Sequence, residues 1–94
     1  MRIALYGIGR NFEYFIRKKK LNEVLSDDSI VALSDSDSAK WGLIREELVV
    51  LPPEQLESVE CDCIIVTPDD SAKLLIDLKN AFSNKEIISL IDLI

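Results

Sequence analysis

The chain alternates short apolar runs with polar stretches, and this alternation predicts its secondary structure. Short apolar runs that end at glycine, proline or polar clusters are typical of strands buried in a parallel sheet. Five such runs predict strands at residues 3–6, 29–34, 48–51, 61–66 and 86–90.

Apolar residues at helical spacing follow the first predicted strand. Those within 12–16 share one helix face, whereas those within 21–25 would lie on nearly the opposite face of the same helix. One straight helix cannot bury both sets. We therefore predict a helix over 11–20, a break near 20–22 and a separate turn or short helix at 22–25.

Proline marks two further helix starts. Thr67 and Pro68 combine a capping hydroxyl with proline at the first helical position, and two aspartates follow them. This pattern predicts a helix over 68–82. A second start is expected at 52–56, and a single helical turn at 43–47.

Strands that alternate with helices through short connections predict an α/β fold. We expect a Rossmann-like three-layer fold with a five-stranded parallel sheet in the order 3-2-1-4-5, counting strands along the chain. The crossover from strand 2 to strand 3 has only residues 35–47 and lacks a full helix. Ninety-four residues leave room for one Rossmann-like domain, 1–94. A further interpretation is that this domain is the N-terminal module of a longer protein.

Composition narrows the functional classes. The chain has no histidine, the commonest general base, and shows no recognisable triad or metal-ligand cluster. We therefore expect no catalytic residue and no metal site, and lean against an enzyme for this chain alone. The net charge of -6 argues against nucleic acid as a partner.

The two cysteines and the apolar runs bear on cellular location. Cys61 and Cys63 lie two residues apart in a predicted strand, which would place both on one face as buried, reduced thiols. No apolar run reaches the 18 or so residues of a membrane span, and the first residues lack the apolar core of a signal peptide. We expect a cytoplasmic protein without membrane insertion.

The sequence Gly7-Ile8-Gly9 stands between the first strand and the first helix, the context of a dinucleotide-binding turn. The third small residue of that motif is replaced by Phe12. Two interpretations stay open: the glycines only make the turn, or Gly7, Gly9 and Arg10 bind an anion at the helix start. If the Phe12 ring fills the space under the turn, the pocket is closed.

Asp35 follows the second strand, where dinucleotide-binding folds place an acid that binds a ribose diol. The alternative is a turn aspartate that bonds to its own backbone. If a nucleotide binds, a carboxylate here disfavours a 2′-phosphate, so an unphosphorylated ribose is expected.

Several segments together resemble a known family: IALYGIGR (3–10), VALSDSD (31–37), KWG (40–42), VVLPPEQL (49–56) and CDCIIVT (61–67). They resemble the small Rossmann-like modules that accompany bacterial surface-polysaccharide enzymes. Those enzymes include nucleotide-sugar epimerases or dehydratases, glycosyltransferases, sugar acyltransferases and sugar-related methyltransferases. The resemblance covers nearly the whole chain.

The resemblance implies a non-catalytic, accessory or regulatory module that binds a nucleotide or nucleotide-sugar, with NAD or a nucleotide-sugar as the ligand. The implied binding residues are Gly7, Gly9, Arg10, Asp35, Thr67 and Pro68. Two alternatives remain: a structural or interaction module that has lost its ligand, and the NAD-binding half of an oxidoreductase. We also expect a second copy or an adjoining catalytic domain to pack on Leu43, Ile44 and 91–94.

Overall fold

A computed structural model of the chain describes residues 2–20, 29–68 and 72–90. The predicted break near residue 20, the short helix at 22–25 and the C-terminal segment 91–94 fall wholly or partly outside these residues. The elements in chain order are β1 (Arg2–Tyr6), α1 (Arg10–Lys20), β2 (Ser29–Ser34), β3 (Ile44–Arg45), β4 (Leu48–Leu51), β5 (Cys63–Val66), α2 (Ala72–Ala81) and β6 (Glu86–Ser89), with short 3₁₀ helices at Ser38–Lys40 and Pro53–Ser58.

The strands form one mixed sheet in the order β3-β4-β2-β1-β5-β6. The α/β class is as predicted, but the number and order of strands differ from the prediction of five parallel strands. The difference arises at the edge, where β3 pairs antiparallel with β4. The other pairings are all parallel, and β1 lies between β2 and β5.

The antiparallel edge replaces the helical turn predicted at 43–47. Glu46 and Glu47 connect β3 to β4 with φ of 51° and 66°, both in the left-handed region. A two-residue hairpin turn of this kind is usually marked by asparagine or glycine. Because neither is present, the sequence did not predict the hairpin.

Each face of the sheet has its own apolar core. Alternate residues of β1 point to opposite faces, so Ile3 packs on the α1 side and Ala4 on the α2 side. Phe12 and Phe15 anchor α1 to the first face. The second face is covered by α2 and by the 3₁₀ helix Pro53–Ser58, which contributes Leu56.

The cysteines do not share a face. β5 begins at Cys63, so Cys61 lies before the strand and escapes its alternation. Cys63 is fully buried in the α1-side core, whereas Cys61 is partly buried against the α2-side core. Neither of the two cysteines forms a disulfide. Among the described residues, none of the helices has the length and apolar character to cross a membrane.

Candidate functional site

A cleft of about 470 Å³ opens at the carboxyl ends of β1, β2 and β5. In open α/β sheets this is where ligands bind, because connections from the central strand diverge to the two sides. All six residues implied as a binding site border the cleft. Its described lining is Tyr6, Gly7, Ile8, Gly9, Arg10, Asn11, Asp35, Ser36, Lys40, Thr67, Pro68 and Leu74.

Gly7 makes the sharp turn out of β1. Its φ is +106°, and a Cβ added there would come 2.6 Å from Thr67 Oγ1 and 2.8 Å from Pro68 Cδ. Its N–H donates to Ser34 O over 2.8 Å. Glycine is therefore required at this position both by the backbone conformation and by the close approach of the loop after β5.

Thr67 and Asn11 fix the loop after β5 to this turn. Thr67 is buried, and its hydroxyl donates to Gly7 O over 2.6 Å. The backbone N–H of Thr67 donates to Tyr6 O. Asn11 Nδ2 donates to Thr67 O over 2.8 Å. Thr67 thus lines the cleft as predicted, but its hydroxyl holds the protein backbone, so its part in a site is to support the glycine turn.

Gly9 and Arg10 form the open part of the turn. A Cβ on Gly9 would meet no other atom within 4 Å, and Arg10 is exposed at the first residue of α1. The first turn of an α-helix carries N–H groups without intrahelical acceptors, and these favour an anion. Backbone and guanidinium donors therefore meet at one side of the cleft.

Phe12 leaves the cleft open. Its side chain is only 1% exposed and belongs to the α1-side core, where the Arg45 guanidinium lies 5.8 Å from the ring centroid. Phe12 is absent from the described lining of the cleft. The departure from the dinucleotide motif is thus accommodated by the core and does not close the pocket.

Asp35 connects the end of β2 to the glycine turn. It is 7% exposed, and its Oδ2 accepts the Ile8 N–H over 2.7 Å. Its Oδ1 accepts the N–H of Asp37 over 2.8 Å, which is the local turn that the sequence offered as the alternative. Each carboxylate oxygen therefore accepts one backbone N–H.

Lys40 is a site residue that the sequence analysis missed. Its Nζ donates to Ile8 O over 2.9 Å and lies 3.6 Å from Asp35 Oδ2. The neighbouring Trp41 Nε1 donates to Asp35 O over 2.6 Å. The KWG stretch was part of the family resemblance, but it lies in a segment that the sequence predicted as loop, which gave no means to place Lys40 beside Ile8.

Tyr6 lies at the base of the cleft. Burial raises the pKa of its hydroxyl, a hydrogen bond with Ser36 opposes that shift, and the negative charges of Asp35 and Glu54 add to it. A raised pKa keeps Tyr6 neutral at physiological pH. It can therefore donate or accept a hydrogen bond but brings no charge to the site.

Comparison with known proteins identifies a structural neighbour. No family model matches the chain, and no curated protein matches it. Among solved structures, that of RSP, a Rex-family repressor, superimposes with a TM-score of 0.67 at 14% sequence identity. The match covers 95% of this chain and 52% of that chain, so the chain spans about half the length of this neighbour. At this identity the likeness shows the Rossmann-like fold alone.

A second hollow, of about 450 Å³, lies between the 3₁₀ helix Pro53–Ser58 and α2. It meets the cleft at Tyr6 and Leu74, which line both. Its described charged residues are all acidic. The described lining is Tyr6, Pro53, Glu54, Glu57, Leu74, Asp77, Leu78, Ala81 and Phe82. We call it the acidic groove.

The cleft has the opposite sign. Among its described lining residues, Arg10 and Lys40 are positive and Asp35 alone is negative, which leaves a net charge of +1. The whole chain carries -6. Chemically, this arrangement offers backbone N–H groups, a guanidinium and an ammonium to an anion.

Proposed function

We propose that this chain is a non-catalytic module that binds a nucleotide or a nucleotide-sugar in the cleft. The observation that carries the proposal is the net positive charge of the described cleft lining in an acidic chain, next to the glycine turn and the start of α1. Phosphates are attracted to helix N-termini and to cationic side chains, and a net negative protein would otherwise repel them.

The placement of the ligand follows from the donors. The phosphate lies over Gly9, where the backbone is open and Arg10 is adjacent. The nucleoside extends across the ends of β1 and β2 toward Ser36 and Lys40. A binding role without chemistry is favoured because the Asp35 carboxylate is held by two backbone N–H groups and Tyr6 is kept protonated.

The wider role is also a proposal. The resemblance of the five sequence segments to modules of bacterial surface-polysaccharide enzymes supports a regulatory or accessory function beside such an enzyme. NAD remains a candidate ligand because the glycine turn follows β1 and precedes α1, as in dinucleotide-binding folds.

An exposed apolar edge of the sheet supports the proposal that this chain contacts a partner. Leu43, Ile44 and Val49 are 49%, 69% and 47% exposed on and beside the hairpin β3–β4. Contiguous exposed apolar side chains at a sheet edge are typical of contact surfaces. We propose that a second copy or an adjoining catalytic domain covers them.

Sedimentation at micromolar concentration tests whether a second copy binds there. Ile44→Asp should shift a dimer toward the monomer. A wild-type protein that sediments as a monomer would refute self-association.

A thermal-shift panel tests ligand binding. ADP, NAD, coenzyme A and UDP-glucose are compared with buffer, since a ligand at 100 times its dissociation constant adds about 2.7 kcal/mol to the free energy of unfolding. We expect at least one compound to raise the melting temperature of the wild type. The same compound should leave the melting temperature of the Gly9→Val variant unchanged. If no compound has an effect, the alternative of an interaction module without ligand is favoured instead.

A further inference from the structure

The end of the cleft next to β2 combines a neutralised carboxylate with an available ammonium. From this arrangement we infer that the module selects nucleotides with an additional phosphate on the 2′- or 3′-hydroxyl of the ribose, and that Lys40 is the residue that recognises this phosphate. The inference rests on the proposed nucleotide function and narrows its ligand class.

The first step concerns Asp35. A carboxylate that binds a ribose diol must have lone pairs directed at the ligand. Here Oδ2 accepts from Ile8 N–H and faces Lys40 Nζ, Oδ1 accepts from Asp37 N–H, and the side chain is nearly buried. Protein donors therefore face about three of the four lone-pair sites of Asp35, which connects β2 to the glycine turn and weakens the sequence-based reason to expect an unphosphorylated ribose.

The second step concerns charge. Lys40 Nζ lies 3.6 Å from Asp35 Oδ2, so the negative charge that would repel a ribose phosphate is balanced by a positive one. The next acid in the loop, Asp37, is exposed, accepts the N–H of Ala39 and does not line the cleft. The described groups at this end of the cleft therefore do not present an unbalanced negative charge.

The third step concerns available donors. An ammonium has three N–H donors. Lys40 uses one on Ile8 O and faces Asp35 with another, which leaves one for a ligand. Ser36 also lines the cleft and is exposed, and its side chain hydrogen-bonds with Tyr6. An ammonium with an N–H to donate is suited to a phosphate monoester.

Isothermal titration at low ionic strength separates the two phosphate positions. AMP is the parent compound, adenosine 2′,5′-bisphosphate and adenosine 3′,5′-bisphosphate carry the additional phosphate, and UDP is a second nucleotide without one. We expect one bisphosphate to bind the wild type about tenfold more tightly than AMP, the effect of one charge-assisted hydrogen bond. Lys40→Gln should abolish that preference, measured as the ratio of bisphosphate to AMP affinity within the same variant, and Lys40→Arg should retain it.

Lys79→Gln is the matched control, because it removes the same charge from an exposed position of α2 that lines neither hollow. It should keep the preference. If AMP or UDP binds but neither bisphosphate binds more tightly, or if the preference survives Lys40→Gln, the inference is wrong and the proposed function stands. If none of the four compounds binds, the inference is wrong, and the proposed function fails with it only when the thermal-shift panel is negative as well.

Discussion

The cleft and the acidic groove adjoin each other at Tyr6 and Leu74 and have nearly the same volume, but their described lining residues carry opposite net charge. The cleft is formed by strand ends, a glycine turn and the first turn of α1. The groove is formed by helix sides, and the described acids Glu54, Glu57 and Asp77 line it. Volume therefore does not distinguish them. The difference lies in which backbone donors and which charges reach the surface.

The origin of the groove is a short crossover. A parallel sheet needs both faces covered, and between β4 and β5 the chain supplies a six-residue 3₁₀ helix in place of a longer α-helix. Leu56 from this helix fills the core, but space remains beside α2. The groove is thus a consequence of the short connection between β4 and β5, whereas the cleft depends on specific residues.

Gly7→Ala should give the largest effect and would show how much the cleft depends on one residue. We expect a loss of about 3 kcal/mol in the free energy of unfolding, because a left-handed backbone costs about 1–2 kcal/mol and overpacking about 1–3 kcal/mol. Urea denaturation measures it. Gly42→Ala is the control: its φ is +87° but a Cβ there has open space, so only the backbone cost should appear. Equal losses in the two variants would contradict the close contact with Thr67.

Gly9→Val against Ala81→Val compares the two hollows directly. The first adds bulk to the cleft at a position with open space, and the second adds similar bulk to the groove at an exposed helix residue. Gly9→Val should remove the melting-temperature shift given by ADP or UDP-glucose while the protein stays folded. Ala81→Val should keep that shift. The reverse pattern would place the ligand in the groove.

Single charge removals should give a smaller effect. Arg10→Gln is expected to weaken ADP binding about tenfold, the contribution of one charge-assisted contact to phosphate. Glu57→Gln, in the groove, should change it less than about twofold because the acid lies outside the proposed site. Titration calorimetry measures both. A larger effect from Glu57 than from Arg10 would break the distinction between the two hollows.

The smallest effect is expected at Tyr6, which borders both hollows, and it concerns the pH dependence of the free energy of unfolding. Its raised pKa means that the native protein keeps a proton that the unfolded chain releases above its ordinary pKa of 10.0. The stability due to this shift is complete below about pH 10 and is lost as the pH rises further. The free energy of unfolding of Tyr6→Phe should therefore fall less than that of the wild type above pH 10. Denaturation with Tyr14→Phe alongside checks this, and identical pH profiles for wild type and Tyr6→Phe would refute it.

Local patterns predicted most of the fold, and contacts between distant residues explain the rest. The five parallel strands and α1 follow from apolar runs and helical spacing, because those signals are contained in neighbouring residues. The hairpin at Glu46 and Glu47 was missed because its turn lacks the usual residues.

The site shows the same division. Gly7, Gly9, Arg10 and Asp35 could be predicted to lie together because each stands after a strand or at the start of the helix that follows it, and all four line the cleft. The hydrogen bond from the Ile8 N–H to Asp35 joins residues 27 apart, and no pattern of neighbouring residues predicts it. The contact of Lys40 with Ile8, across 32 residues, is not predicted by such a pattern either. Only the fold reveals that the acid is balanced and the lysine lines the cleft.

The central claim is that an anionic nucleotide occupies the cleft and leaves the acidic groove empty. Residue-resolved ¹⁵N NMR titration with ADP tests it most directly, since it reads the amides of both hollows in one sample. We predict that the amides of Ile8, Gly9 and Arg10 shift in a saturable way, while those of Glu54, Glu57 and Asp77 stay unchanged. Shifts confined to the groove amides, or no saturable shift at the glycine turn, would contradict the account.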